Sequence, residues 1–227
     1  MADHVLDRPI WAALTSRQAH FASGGQDALR YPADVSPFAV ARDGSAESLA
    51  ALAALVPKGG HVITAESGGA PVPPGLTLEG EAEIVQMLAA DPAVAEPDDR
   101  IIPLGAADAE EMLALATLTS PGPFAINTHR MGRFIGIRID GRLAAMAGER
   151  LHLDGYREVS GVCTHPDFQG QGHAGLLSRI VATRIAREGE TPFLHAYSSN
   201  AVAIRLYEKL GFRIERRAIV RKLSRGE

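Results

Sequence analysis

A single cysteine, Cys163, stands among the 227 residues, so no internal disulfide can form and a reducing compartment is the natural setting. Nowhere do eighteen apolar residues run together, and the opening Met1 to Pro9 lacks the apolar core of an export signal. The expectation is a cytoplasmic protein, neither exported nor membrane-spanning. A surplus of positive charge is also missing. With 23 Lys and Arg against 27 Asp and Glu, the net charge is -4, which argues against a general affinity for nucleic acid or an anionic membrane. No grouping of His, Cys and Asp has metal-ligand spacing, so no metal is expected. What remains is ordinary for a globular chain: 46% hydrophobic and 22% charged residues, enough length for a real core in one large or two small domains.

Turn and cap signals divide the chain. Asp7 and Pro9 open a short helix with Ile10, Ala13 and Leu14 on one face, and Trp11 reads as packing. Phe38–Arg42 reads as a strand, Ser45 caps an Ala/Leu-rich helix ending at Pro57, and His61–Ala65 is again a strand. A Gly/Pro-rich loop from Gly68 to Gly75 and a weaker strand near Leu76–Leu78 follow, and Glu81–Ala90 fits helix or strand. Asp91–Asp99, with Pro92, Pro97 and four acidic residues, is the best linker, placing a boundary between an α/β region 1–98 and a domain 99–227. The first region carries no chemical motif. Lid, dimer interface, vestige or degenerate copy of half the later domain are its open readings, and a homodimer is one arrangement they allow.

The second region alternates more regularly. Arg100–Leu104 reads as strand, and Asp108 opens a helix with acids in its first turn. Pro121-Gly122-Pro123 interrupts the pattern, leaving Asn127–Met131 as a short helix or loop. Arg133–Ile139 and Leu143–Leu151 are strands joined by Asp140-Gly141, a strong hairpin signal, and Asp154-Gly155 leads into Tyr156–Thr164. Leu177, Ile180, Val181 and Ile185 recur at helical spacing up to Gly189, Pro192–Tyr197 is a strand, and Ser198 or Ser199 caps a helix that stops at Gly211. Phe212–Leu223 supplies the last one or two strands.

Between the strand ending at Thr164 and the next helix lies His165-Pro-Asp-Phe-Gln-Gly-Gln-Gly-His-Ala-Gly175. A strand, a Gly-rich turn and a helix N-terminus in that order present unpaired N–H groups and a helix dipole to an anion, a cradle for a pyrophosphate. The string Gly170-Gln-Gly172-His-Ala-Gly175 also spells a dinucleotide-binding fingerprint, but five residues separate the strand from its first Gly, and the next strand carries His195 rather than an acid. No Lys-Ser/Thr pair follows the glycines, which excludes a nucleoside-triphosphate loop.

Read as Gln169-x-x-Gly172-x-Ala174, the same residues resemble the acyl-CoA loop of the GNAT superfamily of N-acetyltransferases. Asn200-Ala-Val-Ala203-Ile-Arg-Leu206-Tyr207-Glu-Lys-Leu-Gly211-Phe212 resembles that family's second motif, Asn-x-x-Ala-x-x-Leu-Tyr-x-x-x-Gly-Phe. The resemblance covers a little over half the chain and implies a fold of class α/β (α+β): a mixed, mostly antiparallel sheet with splayed central strands, here Tyr156–Thr164 and Pro192–Tyr197.

The implied activity is transfer of an acyl group from acetyl-CoA, or another short acyl-CoA, to a primary amine of a small molecule, peptide or protein by direct attack. Gln169, Gly170, Gln171, Gly172, His173, Ala174 and Gly175 would hold the cofactor's diphosphate. The backbone of Val162, Cys163 and Thr164 would pair with its pantetheine arm, together with Asn200, whose plain alternative is a helix cap. His165 and His173 flank the turn and are expected to face solvent or phosphate.

Tyr207 falls where relatives often carry the acid that protonates the thiolate; the plain alternative is a core tyrosine. Two residues compete as base. Glu158 lies eleven residues before Gln169, the spacing of the catalytic Glu in histone-type enzymes of the family. His195 lies five before Asn200, where ribosomal-protein alanine acetyltransferases carry an acid, and a histidine accepts a proton near neutrality. The alternatives are a solvated strand residue and a hydrogen-bonded core histidine, and a water chain serves many relatives instead. Glu149 is a third option, while Cys163, on a strand beside Val162, reads as an inert packing thiol.

The acceptor has no code in the sequence. Its pocket is expected from roughly 113–130 and 150–156, with Arg130, Arg133 and Arg150 as candidates to attract an acidic acceptor. A rival from another class keeps the fold without catalysis, as an acyl-CoA-binding sensor or interaction module.

Overall fold

The chain enters through α1 (Pro9–Leu14), whose first residue is a proline with no N–H to leave unsatisfied. In the computed structural model, which describes residues 4–69, 71–96 and 98–227, three short strands follow. These are β1 (Ser23–Gly24), β2 (Ala28–Arg30) and β3 (Ala39–Ala41), a small antiparallel sheet covered by α2 (Ala46–Leu55). Ser45 Oγ caps α2 by accepting from Ser48 N.

The remaining elements are β4 (His61–Glu66), β5 (Thr77–Leu88), β6 (Ile101–Leu104), α3 (Ala109–Thr119), β7 (Phe134–Ile139), β8 (Arg142–Leu153), β9 (Tyr156–Thr164), α4 (His173–Arg187), β10 (Thr191–Tyr197), α5 (Ala201–Lys209) and β11 (Arg213–Ser224). Eight strands join one sheet in the order β4-β11-β5-β10-β9-β8-β7-β6. All its neighbours are antiparallel except β9 and β10. Asp140 at φ 50 and Gly141 at φ 77 make the tight β7–β8 turn that the Asp-Gly pair demands.

Two expectations are corrected. The weak strand at Leu76–Leu78 and the ambiguous Glu81–Ala90 are one strand, β5, paired along β11 from Thr77↔Ser224 to Leu88↔Arg213. Tertiary pairing decides a segment whose local pattern does not. The expected boundary at 91–99 does not separate two sheets either, because β4 and β5 lie before it and β5 sits between β11 and β10. Pro97 of that segment lies outside the described residues.

Successive strand residues face opposite sides, which sorts the core. Val159, Leu194, Val85 and Met87 pack with Leu177, Val181 and Ile185 of α4 and Tyr207 of α5. On the other side Phe193 and Ile84 meet Leu6, Ile10, Tyr31 and Phe38 of the N-terminal segment. Met112, Leu115 and Ala116 of α3 pack on Phe134, Met146 and Cys163. Among the described residues no helix is long and apolar enough to cross a membrane.

Candidate active site

The site opens where two strands part. β9 and β10 pair in parallel only at Thr191↔Tyr156, Pro192↔Arg157 and Phe193↔Glu158. Beyond that point Val159–Thr164 keeps β8 on one side, through Met146↔Cys163 and Ala145↔Thr164, and among the described residues no strand on the other. An extended edge of main-chain N–H and C=O groups therefore faces the gap, as an incoming extended chain requires. Gly161, at φ 62, marks the β-bulge where the β8–β9 register shifts between Met146 and Gly148, and a Cβ there would meet Phe134 Cε1 at 2.8 Å. A glycine inside a strand pattern was the available signal for this bulge.

A cavity of about 520 Å³ fills the gap. Val162, Cys163, Thr164, Gln169, Gly170, Gly172, His173, Ala174, Gly175, His195, Asn200 and Tyr207 all line it, whereas Gln171 does not. Gly172 is the N-cap of α4 at φ 80, a left-handed conformation, and Gly170 takes φ 78. The N–H groups of the first turn after Gly172 have no intrahelical acceptor, so they and the positive end of a fifteen-residue helix open on the cavity. These features, an unpaired strand edge beside an N–H cradle with no carboxylate in the lining, fit the pantetheine and diphosphate parts of coenzyme A.

Of the two settings expected for His173, solvent is excluded: only 4% exposed, it is buried as the first residue of α4 and lines the cavity. His165 instead caps the preceding turn by accepting from Asp167 N and meets Arg142. Asn200, not Ser198 or Ser199, caps α5, its Oδ1 accepting from Ala203 N at 3.0 Å, and it lines the cavity as well. Tyr207 is nearly buried, and burial, followed by the nearby Cys163, pushes its phenol up to about 12. Burial likewise pushes the Cys163 thiol up to about 11.

The base candidates form one network. Glu158 is fully buried and absent from the cavity lining. It accepts from Arg150 Nε at 2.8 Å and Nη2 at 2.7 Å and from Leu151 N at 3.2 Å. Burial alone would raise its pKa, but the Arg150 guanidinium and then His195 outweigh that and hold the carboxyl below the usual range. His195 Nδ1 lies 2.7 Å from Glu158 Oε1, and its Nε2 lies 3.1 Å from Gln86 Nε2. A carboxylate only accepts and an amide NH₂ only donates, so this pairing assigns the neutral tautomer with the proton on Nδ1. Gln86 also donates to Leu6 O at 3.0 Å.

Glu149 is placed away from this network. It is buried among Arg133, Arg157 and Arg184, with Arg184 Nη2 at 2.7 Å, and does not line the cavity. Arg133 pairs with Glu149 and Glu188, and Arg130 lies over Phe21. Of the three arginines, Arg150 alone reaches the cavity. Thr119–Pro123 also lines it, with Ser120 in a left-handed turn at φ 48. Sequence reasoning missed Phe38, Ala65, Ile84 and Val220, which line the cavity, and Gln86, which meets His195. No local pattern signals such residues.

A splayed strand pair over a glycine-capped helix N-terminus defines the acyl-CoA N-acyltransferase fold. The FR47-like protein family model matches residues 134–220. A crystal structure from Novosphingobium aromaticivorans, described as an acetyltransferase of the GNAT family, is 42% identical, with a TM-score of 0.93 over 99% of this chain and 100% of its own. A GCN5-related N-acetyltransferase from Kribbella flavida shares the fold at 20% identity, with a TM-score of 0.62 over 98% of this chain and 95% of its own. A search among curated proteins finds no match. The chain belongs to the GNAT superfamily of N-acetyltransferases.

Proposed function

We propose that the chain transfers an acetyl or other short acyl group from its coenzyme A thioester to a primary amine by direct attack. The observation that carries this is the convergence, on one cavity, of the unpaired β9 edge, the Gly172-capped helix N-terminus, His195 and Tyr207. The amine nitrogen attacks the thioester carbonyl carbon, the C–S bond breaks, and one proton leaves the nitrogen. His195 Nε2 takes that proton once the amine displaces the Gln86 N–H from it, and Glu158 stabilises the imidazolium from the far side. Glu158 is a positioning residue in this scheme: a carboxylate held by Arg150 and Leu151 is a weak base without access to the cavity.

Tyr207 acts as a hydrogen-bond donor to the developing thiolate. With the phenol near 12, well above the roughly 8.5 of a free thiol, full proton transfer runs uphill, so the proton reaches sulfur finally from solvent. Cys163 takes no covalent part, its thiol being buried and held neutral.

Calorimetric titration with coenzyme A, alongside NAD, tests the first half: heat with NAD and none with coenzyme A overturns the reading. Thioester consumption across a panel of amines tests the second. Tyr207→Phe should lower kcat roughly 10-fold, the loss of about one hydrogen bond to a charged group. Unchanged turnover removes Tyr207 from the mechanism. Coenzyme A binding without consumption of thioester by any amine would instead favour the sensor.

A further inference from the structure

We infer that the acceptor carries a carboxylate a few bonds from its amine, and that Arg150 holds it; this rests on the acyl-transfer reading above. Arg150 is buried, and among the described residues that line the cavity it is the sole Lys, Arg, Asp or Glu. Two of its guanidinium nitrogens, Nε and Nη2, are spent on Glu158. The third, Nη1, has no partner among the described residues and points toward the acceptor loop, where a Cβ built on Gly122 would stand 3.9 Å from it. The guanidinium also lies over the Phe38 ring at 4.8 Å, which fixes its plane.

The free edge of a guanidinium inside a cavity walled by Phe38, Ala65, Ile84 and Val220 is a donor pair placed for an oxygen acceptor on the substrate. Charge decides which kind. Arg150 and Glu158 cancel, and neutral His195 adds nothing until it takes the amine's proton. A polyamine or basic peptide would enter with positive charge and find no carboxylate in the lining. An aminocarboxylate arrives as a neutral zwitterion, and its ammonium gives up one proton to solvent before the nitrogen attacks and passes the second to His195. Its carboxylate meets Nη1, and it also compensates the imidazolium formed as the amine attacks.

The same network sets the spacing. Arg150 Nη2 and His195 Nδ1 both contact Glu158 Oε1, each at 2.7 Å, so guanidinium and imidazole stand two hydrogen-bond lengths apart through one oxygen. The substrate would meet the outer atoms, Nη1 and Nε2, so the acceptor that bridges them is an amino acid with a short spacer between amine and carboxylate, and the apolar wall accommodates a hydrocarbon side chain.

The test uses wild-type protein. With coenzyme A saturating, leucine, phenylalanine and β-alanine are titrated calorimetrically against their carboxamides, and the same pairs are run as acceptors with acetyl-CoA. The carboxylates are expected to bind more tightly and to exceed their amides in kcat/KM by roughly 10- to 100-fold, the worth of a hydrogen bond to a charged group. Arg150→Lys, which keeps the charge but loses the fork, should raise KM for the carboxylates and narrow that ratio; since this variant risks disturbing Glu158, the wild-type comparison is decisive. Parity within the pairs, preference for the amides, or neither binding nor turnover of any carboxylate overturns the inference. Turnover of amides or other neutral amines alone overturns it while leaving acyl transfer standing. Absence of heat from coenzyme A itself removes both.

Discussion

The two sides of the cavity are built by different means. The side proposed for coenzyme A comes from one continuous stretch, β9 through α5, and offers a ligand largely main-chain groups: the β9 edge, the turn at Gly170 and the helix start at Gly172. The side proposed for the acceptor is assembled from Phe38, Ala65, Ile84, Thr119–Pro123, Arg150, His195 and Val220, which sit on separate elements and present side chains. Main-chain recognition needs glycines and turns at fixed offsets, so it leaves a motif. Side-chain recognition by residues far apart in sequence leaves none, and it is free to change with the substrate.

That contrast predicts separable damage. His195→Ala, on the acceptor side, should lower kcat/KM by roughly 10²- to 10⁴-fold, the usual worth of a general base, while coenzyme A affinity holds. A loss in Glu158→Ala that exceeds the loss in His195→Ala would mean the carboxylate is the base after all. Loss of coenzyme A affinity in His195→Ala would mean that the two sides are not independent.

Beneath the acceptor side, Glu158 ties β8, β9 and β10 together. Glu158→Gln strands Arg150 in a buried site and should cost about 3–5 kcal/mol, read as a fall in the urea midpoint at neutral pH. The sign follows from the depressed pKa: burial opposes and Arg150 outweighs it, so the native state holds the carboxylate ionised. The stabilisation is full above about pH 4.3, the ordinary glutamate value, and is lost only as pH falls on through the depressed folded value. A gap between wild type and variant that widened below pH 4 would contradict this.

On the coenzyme A side the expected effect is smaller. Gly172→Val forces a β-branched residue to φ 80, a strain of about 1–3 kcal/mol, so the Kd for coenzyme A should rise one to two orders of magnitude. Acceptor discrimination, measured as a ratio of kcat/KM values at saturating acetyl-CoA, should not move. If it does, the cradle and the acceptor wall share more than the gap between β9 and β10.

The same division governs what could be read from the chain. Tyr156–Thr164 was legible to the residue because Asp154-Gly155 starts it and the Gly-rich turn follows it, and α4 was legible from Leu177, Val181 and Ile185. The place of β5 in the middle of the sheet was not, since its register depends on β11, over a hundred residues later. His195 and Glu158 were both found, but as competitors; their 2.7 Å contact joins two strands and belongs to no local pattern. Arg150 stood as one of three arginines because only the fold shows which of them turns inward.

The smallest expected effect concerns the residue that most invites overreading. Cys163 lies on β9 in the cavity lining, where a lone thiol suggests a covalent intermediate. Its surroundings argue otherwise: Met112, Leu115, Phe134 and Met146 pack about it, and burial holds the thiol near 11. If the main chain at this position does the binding, the side chain is replaceable. Cys163→Ala should keep kcat and the coenzyme A affinity within about 2-fold and lower stability by roughly 1 kcal/mol, the loss of one small buried group. A collapse of kcat in Cys163→Ala with the Kd for coenzyme A intact would replace direct attack by a two-step transfer through sulfur, and would move the chemistry from the acceptor side to β9.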